Sequence, residues 1–327
     1  MRRLTIDTER FPIAGRFIIA RGARTEAVVV TVAIAEGEAV GRGECVPYAR
    51  YGETVEGVAA AIEAQRRAIE GGLDRIALQE SMPPGAARNA LDCALWDLDA
   101  KLSGVPAHVS AGIDRLRPVS TAYTISLDEP AVMADAVRKA SGRPILKIKL
   151  GAPEGDLERI AAVRAAAPDA TLIADANEGW SGDTLDRHLA ACAEAGFGLI
   201  EQPLPAAKDE ALRGRPRPVP LCADESVHDR HGLGRLVGLY DAINVKLDKT
   251  GGLTEALALA GEAERRGFAL MIGCMVGTSL AMAPALLLAP RARFVDLDGP
   301  LLLARDRENG LRYDGSIVHP PSPALWG

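Results

Sequence analysis

Lysines and carboxylates recur in this sequence at the ends of short apolar runs. Lys147 and Lys149 end the run Ile145–Leu150. They are two positions apart, so both side chains leave the same face of an extended strand. Asp175-Ala176-Asn177, Glu201-Gln202-Pro203 and Asp224-Glu225-Ser226 end three later runs. Asn244-Val245-Lys246 ends another, and Asp296-Leu297-Asp298 ends the last. From Lys149 the steps to Asp175, Glu201, Asp224 and Lys246 are 26, 26, 23 and 22 residues. Each step is about one strand plus one helix. A single charge at a strand end is ordinary, because strand ends are often solvated. Six strands that aim charge at one mouth need something to organise them, because charge is costly to bury unpaired.

The elements that position these residues alternate in type. The apolar runs Ser120–Ile125, Ile145–Leu150, Thr171–Ala176, Leu199–Gln202, Pro220–Asp224, Ala242–Leu247, Ala269–Gly273 and Arg293–Asp298 read as eight strands. All but the last are followed by a helix-length segment. This rhythm predicts a parallel sheet closed into a barrel, with the functional face at the strand C-termini. An open doubly wound sheet wants a glycine-rich phosphate turn after an early strand. Gly41-Arg42-Gly43 lacks the third glycine and opens no helix. Before the barrel, Arg2–Thr8, Arg16–Ala20 and Ala27–Ala35 read as a three-stranded meander, the last dense in β-branched residues. Two helices follow. Val55, Val58, Ile62 and Ile69 share a face of the first; the second runs from about Ala86 to Leu102. Leu311–Val318 reads as a hairpin around Asp314-Gly315.

In a ring of eight, the third, fourth and fifth strands are neighbours, so Asp175, Glu201 and Asp224 form an arc. Three hard oxygen ligands without His or Cys nearby suit Mg²⁺, one per subunit, with positions left for water or substrate. The second and sixth strands face each other, which puts Lys149 and Lys246 on opposite sides of a substrate held on the ion. Asp296 and Asp298 would meet the far end of that substrate. These placements suit proton transfer at the carbon next to a carboxylate, through an enediolate whose charge the ion stabilises. One lysine takes the proton and the opposite lysine returns one to the other face. A lysine base needs a lowered pKa, and Lys147 beside Lys149, with the ion, would supply that. Phosphate binding is the competing use of Lys-x-Lys, but no glycine-rich cradle accompanies it.

The chain has 327 residues with 48% hydrophobic and 25% charged, ordinary for a folded globular protein. A net charge of −6 and 4% aromatics argue against a nucleic-acid partner. No apolar run approaches the ~20 residues of a membrane span. Met1-Arg2-Arg3 is followed at once by polar residues, not by a leader's apolar segment. Cys45, Cys93, Cys192, Cys222 and Cys274 are odd in number and form no C-x-x-C pair. These features predict a cytoplasmic protein. His108, His188, His228, His231 and His319 match no ligand spacing, and Trp180 reads as core.

The strand-end motifs resemble the enolase superfamily, in its muconate-lactonizing-enzyme subgroup. No His stands where the mandelate racemase branch places its catalytic one. The chain is most similar to the bacterial L-Ala-D/L-Glu epimerases. Ala20–Glu26 resembles that family's specificity loop, Gly43–Glu53 its second lid loop, and Ala86–Asp92 also matches. The resemblance implies a (β/α)₇β TIM-like barrel, residues 116–304, carrying the metal and catalytic lysines. It also implies an α+β capping domain with lid loops, residues 1–115, joined by 305–327. Lys149, Lys246 and Lys147 would be catalytic, and Asp175, Glu201 and Asp224 would hold the metal. Arg24 would receive the glutamyl side chain, and Asp296 and Asp298 the α-ammonium of the dipeptide. Arg21 and Arg50 are weaker candidates of the same kind, and Tyr48 and Tyr51 pack in the lid or support it. The implied activity is Mg²⁺-dependent interconversion of L-Ala-D-Glu and L-Ala-L-Glu, as in reuse of murein peptides. Its partner is a small dipeptide; barrels of this kind often form homo-oligomers. A lyase or cycloisomerase such as an o-succinylbenzoate synthase would use the same metal and one lysine. A non-catalytic carboxylate binder would need neither lysine as a base.

Overall fold

The computed structural model describes all 327 residues. The chain opens with an antiparallel sheet in the order β1 (Arg2–Ile19), β2 (Gly22–Glu36), β3 (Ala39–Cys45). The two segments expected as separate strands are one, because β1 pairs with β2 along its length. A register shift between Pro12 and Phe17 absorbs the irregular stretch. The third strand is Ala39–Cys45, which the reading of Gly41-Arg42-Gly43 as a failed phosphate turn passed over.

Val30, Val32 and Ile34 face a helix over Ala86–Ser103. Ala86, Ala90, Ala94 and Leu98 recur every fourth residue and pack on the sheet, as a helical stripe does. Cys93, Trp96 and Ala100, on another face of the same helix, join the barrel core. Gly41 and Gly43 let the helix come close. A Cβ at Gly43 would fall 2.0 Å from the Ala90 carbonyl oxygen, and one at Gly41 2.1 Å from that of Ala94. The first predicted helix is broken at Gln65 into Val55–Ala64 and Arg66–Glu70, and a short helix over Arg75–Ser81 precedes the long one.

β4 (Val119–Ser120) stands apart from the barrel. It pairs with the hairpin of β13 (Tyr313–Asp314) and β14 (Ile317–Val318). The barrel strands are β5 (Tyr123–Ile125), β6 (Ile145–Lys149), β7 (Thr171–Asp175), β8 (Phe197–Glu201), β9 (Leu221–Ala223), β10 (Ala242–Val245), β11 (Ala269–Ile272) and β12 (Phe294–Val295). All eight are parallel, and their spatial order is their chain order. The Ala122 amide donates to the Val295 carbonyl at 2.8 Å and closes the ring between its first and last strands. After β8 the connection is a 3₁₀ segment, Ala206–Leu212, where Pro203 and Pro205 disfavour an earlier helix start.

The period of two along each strand builds the barrel in layers. Ala122, Ile173, Leu199, Cys222, Ala242, Met271 and Phe294 form an apolar cluster inside it. Two positions on, Asp175, Glu201, Asp224, Asn244, Gly273 and Asp296 make the next level, toward the strand C-termini. After β12 the chain runs back across the cap. Arg307 pairs with Glu9 and Glu44, the Trp326 indole donates to the Cys93 carbonyl, and the Gly327 amide donates to Asp97. No helix is long and apolar enough to cross a membrane. Gly43→Ala, which overpacks the cap, is expected to lower unfolding stability by about 1–3 kcal/mol. Urea denaturation checks this; an unchanged midpoint would contradict the close approach.

Candidate active site

A cavity of about 410 Å³ opens at the C-terminal face of the barrel, under the cap. Lys147 and Lys149 enter it from β6, Lys246 from the end of β10, and Asp296 and Asp298 from beyond β12. Asp224 also lines it, while Asp175 and Glu201 lie fully buried at its floor. β6 and β10 are four strands apart in the ring of eight, so Lys149 and Lys246 enter from opposite sides. The cap contributes Phe17, Arg21, Arg24, Tyr48, Arg50 and Tyr51.

The charges at the floor are tightly paired. Lys147 Nζ lies 2.7 Å from Glu201, 2.8 Å from Asp296 and 3.2 Å from Asp175. Lys149 Nζ is 2.6 Å from Asp175 Oδ2, and Lys246 Nζ is 2.5 Å from Asp224 Oδ2. Asp296 is therefore nearer the carboxylate arc than a position opposite β8 suggests. The reason is the reach of the Lys147 side chain, which spans both groups. Burial pushes the Lys147 ammonium down, but Asp296, Glu201 and Asp175 outweigh it and hold it well above the ordinary lysine value. Lys246 is likewise depressed by burial and raised further by Asp224 and Glu201. Each of the three ammoniums thus sits on carboxylates as the side chains stand. Burial and the neighbouring Asp175 push Glu201 up to about 8. Asp224 is held well below its usual range: burial raises it, but Lys246, Lys249 and Lys147 lower it more.

As the side chains stand, no three His, Cys, Asp or Glu groups close on one point to hold an ion. Lysine ammoniums stand between the carboxylates. The donor set nevertheless fits a hard cation, since it is all carboxylate oxygen on three adjacent strands. Unsatisfied acceptors point the same way. Glu201 Oε2 meets Lys147 without hydrogen-bonding geometry, and Asn177 Oδ1, Glu225 Oε2 and Asp296 Oδ1 are also buried without a partner. Buried acceptors are normally satisfied, so their gathering at one cavity marks a place for a donor or a cation.

The rim is joined to the barrel by Arg21 and Arg50, the weaker candidates for the substrate side chain, which are instead paired with Glu225 and Glu178. Arg21 donates to the Asn177 carbonyl at 2.7 Å, to Tyr48 Oη at 3.1 Å and to Glu225 at 2.6 Å. Arg50 makes a two-point contact with Glu178 at 2.7 and 2.8 Å. Asn177 and Glu178 have φ of 44° and 67°, a region that costs a residue with a Cβ. That turn, right after Asp175, brings Glu178 back to the lid arginines. Arg24 differs from its neighbours. It makes no ion pair and lies 5.1 Å over the Tyr48 ring. Tyr48 packs on Tyr51, and Tyr51 on His228, at 5.3 and 4.6 Å. Trp180 is core, its indole donating to Asp156 and its ring stacked on His188. Lys249, unassigned from sequence, is wholly buried behind Asp224.

A racemase-type barrel is what this fold and site define. Residues 131–322 match the enolase C-terminal domain-like family, and residues 1–109 match the mandelate racemase/muconate lactonizing enzyme N-terminal domain. The chain belongs to this branch of the enolase superfamily. It is 47% identical over 323 residues to the L-Ala-D/L-Glu epimerase of Escherichia coli (strain K12), covering 98% of this chain and 100% of that one. It is 44% identical to an N-acetyl-D-glutamate racemase of Pseudoalteromonas sp., covering 91% and 95%. A crystal structure of an Agrobacterium tumefaciens enolase family member with homology to dipeptide epimerases, with bound sodium and L-Ala-L-Glu, superposes with a TM-score of 0.99 at 56% identity, over 100% of both chains. A dipeptide epimerase from Enterococcus faecalis V583, complexed with Mg and L-Leu-L-Tyr, superposes at 0.91 with 30% identity, over 98% of this chain and 97% of that one. The chain is an isomerase of the epimerase and racemase kind.

One buried acid ties the site to the cap. Asp248 Oδ1 accepts from the Val46 amide at 3.0 Å and from Asn89 at 2.9 Å. Burial pushes its pKa up to about 7, against 3.8 for a free aspartate. Between these values the unfolded chain has lost this proton and the native one keeps it, so its contribution to stability falls as pH rises. Asp248→Asn keeps the Oδ1 acceptor and has no proton to lose. Its thermal midpoint is expected to vary less than the wild type's between pH 4 and 7. Parallel pH profiles would refute this.

Proposed function

We propose that this chain is a Mg²⁺-dependent dipeptide epimerase that interconverts L-Ala-D-Glu and L-Ala-L-Glu. The reaction is 1,1-proton transfer at the glutamyl α-carbon, in the reuse of murein peptides. The observation that carries this reading is the pair of lysines, Lys149 and Lys246, entering one cavity from strands on opposite sides of the ring. Opposed groups of that kind address two faces of one carbon. Asp175, Glu201 and Asp224 would hold one Mg²⁺. Bound there, the ion supplies positive charge to the substrate carboxylate as the α-proton leaves and, by engaging the carboxylates that now hold the lysine protons, favours the neutral amine.

On this reading Lys149 and Lys246 exchange roles with the direction of reaction. One removes the α-proton and the other delivers a proton to the opposite face. Lys147, pinned between Glu201 and Asp296, stays charged and holds the substrate carboxylate in register. Arg24, the rim arginine without an acidic partner, takes the glutamyl side chain. Asp296 and Asp298 take the α-ammonium, which the unpartnered Asp296 Oδ1 supports. The five cysteines are free thiols, which supports a reducing compartment such as the cytoplasm.

The Pseudoalteromonas relative suggests a second substrate class, N-acylated glutamate, which has no ammonium. The buried carboxylate pair favours the free amine. A lyase or cycloisomerase would need one lysine base only.

The test is L-Ala-L-Glu with the protein and Mg²⁺ in D₂O, followed by NMR. The glutamyl α-proton signal is expected to disappear, L-Ala-D-Glu to form, and a chelator to stop both. No exchange with any dipeptide would refute the reading. Lys246→Ala is expected to cut turnover by about 10²–10⁴-fold; full exchange by this variant would rule out two bases. Arg24→Leu is expected to lower kcat/KM for L-Ala-L-Glu by about 10–100-fold, the worth of a hydrogen bond to a charged group. Assays against L-Ala-L-Leu check this, since that substrate should not suffer. Replacing Asp296 and Asp298 with Asn is expected to abolish dipeptide turnover while leaving ion affinity nearly intact. Undiminished dipeptide turnover by that variant, with N-acetylglutamate also racemised, would favour the second class.

A further inference from the structure

Each carboxylate of the arc has one oxygen fixed from behind and one turned to a lysine that lines the cavity. Asp175 Oδ1 accepts from the Asn177 amide at 3.0 Å, while Oδ2 faces Lys149. Glu201 Oε1 accepts from Asn244 Nδ2 at 2.7 Å and lies 3.9 Å from Lys246 Nζ, while Oε2 faces Lys147 at 2.7 Å. Asp224 Oδ1 accepts from Lys249 Nζ at 2.5 Å, while Oδ2 faces Lys246. The same division on three strands is more than pairing of buried charge requires.

We propose that Asn244 and Lys249 are positioning residues, which clamp the rear oxygens of Glu201 and Asp224 so that the forward oxygens converge on a bound cation. The inference rests on the Mg²⁺ reading given above. Lys249 is suited to this and not to proton transfer. Its ammonium has three donors, and three acceptors take them: Asp224 Oδ1, the Asp224 carbonyl at 2.6 Å and the Asn244 carbonyl at 2.9 Å. It is 1% exposed and does not reach the cavity, unlike Lys246. Asn244 serves both clamps, its side chain on Glu201 and its carbonyl under Lys249. Gly273, on the next strand, leaves the room this needs. A Cβ there would fall 2.5 Å from Asn244 Oδ1 and 2.7 Å from Nδ2. Groups behind a ligand that fix its orientation commonly change metal affinity by about 10–100-fold when removed.

The experiment titrates the full chain with Mn²⁺ and reads the free ion by electron paramagnetic resonance. Asn244→Ala, Gly273→Ala and Lys249→Met are each expected to bind Mn²⁺ about 10–100-fold more weakly than the wild type. The Mg²⁺ needed for half-maximal activity should rise in parallel, with the dipeptide KM at saturating Mg²⁺ little changed. A merely structural role would lower the ion-free thermal midpoint and leave Mn²⁺ affinity alone. Lys249→Met leaves Asp224 short of a buried partner and is the variant most prone to misfold; Asn244→Ala and Gly273→Ala keep every charge and decide the matter without it. Wild-type Mn²⁺ affinity in these folded variants overturns the inference while the ion reading stands. If the wild type itself shows no saturable Mn²⁺ binding, the ion reading falls and takes this inference with it.

Discussion

Within the barrel one ammonium, that of Lys147, touches carboxylates from three strands, Asp175, Glu201 and Asp296. Ions so deeply buried are stable only when paired and hydrogen-bonded, and removing one partner leaves the other exposed to the full cost of desolvation. The fold therefore has to deliver acids and lysines to one level with little error. Strand periodicity does this. An apolar layer fixes the strands from inside, and the next inward position carries a charge at β6, β7, β8, β9 and β12. Neither layer makes sense alone. Without the apolar layer the charges would not converge, and without pairing they would not stay folded inward.

The cap completes the enclosure. The helix over Ala86–Ser103 is buried on two sides, packed on the cap sheet through small residues and on the barrel through Cys93, Trp96 and Ala100. Its close approach to β3 makes cap and barrel one packed unit at their base. At the rim the joints are polar. Arg21 and Arg50 reach Asn177, Glu178 and Glu225, so the lid is held by groups next in sequence to Asp175 and Asp224. The Arg50 side chain is 40% exposed, and a joint reaching that far into solvent contributes little by itself, which suits a rim that has to admit a substrate.

Much of this was legible in the sequence because it depends on spacing. A closed barrel has a fixed repeat length, and residues two apart on a strand share a face. Lys147, Lys149, Asp175, Glu201, Asp224, Lys246, Asp296 and Asp298 could be assigned to one mouth on those grounds. The first sheet was harder. β1 reads as two strands because a bulge breaks its pattern, and β3 is short and glycine-rich for the sake of the helix behind it. The roles of Lys249, Asn244 and Glu178 were not legible, because they arise from closure in three dimensions. The fully buried Lys249 looks like a solvated helical lysine until Asp224 is placed beside it. The carboxylate partners of Lys147 were hidden for the same reason. Its sequence neighbour is a lysine, while its neighbours in space are acids.

The two-level barrel has a consequence for how such a protein can change over evolutionary time. Arg24 and the aromatic residues around it belong to the cap, whereas the lysines and the carboxylate arc belong to the barrel. On the proposed reading, the glutamyl side chain and the bond chemistry are thus addressed from different segments of chain, which face each other across the cavity and are joined at its rim by Arg21 and Arg50. A lineage can redraw the rim, one loop at a time, without disturbing the electrostatic balance at the floor. Diversity in such a lineage should collect in the loops of the first fifty or so residues, while the barrel mouth drifts slowly.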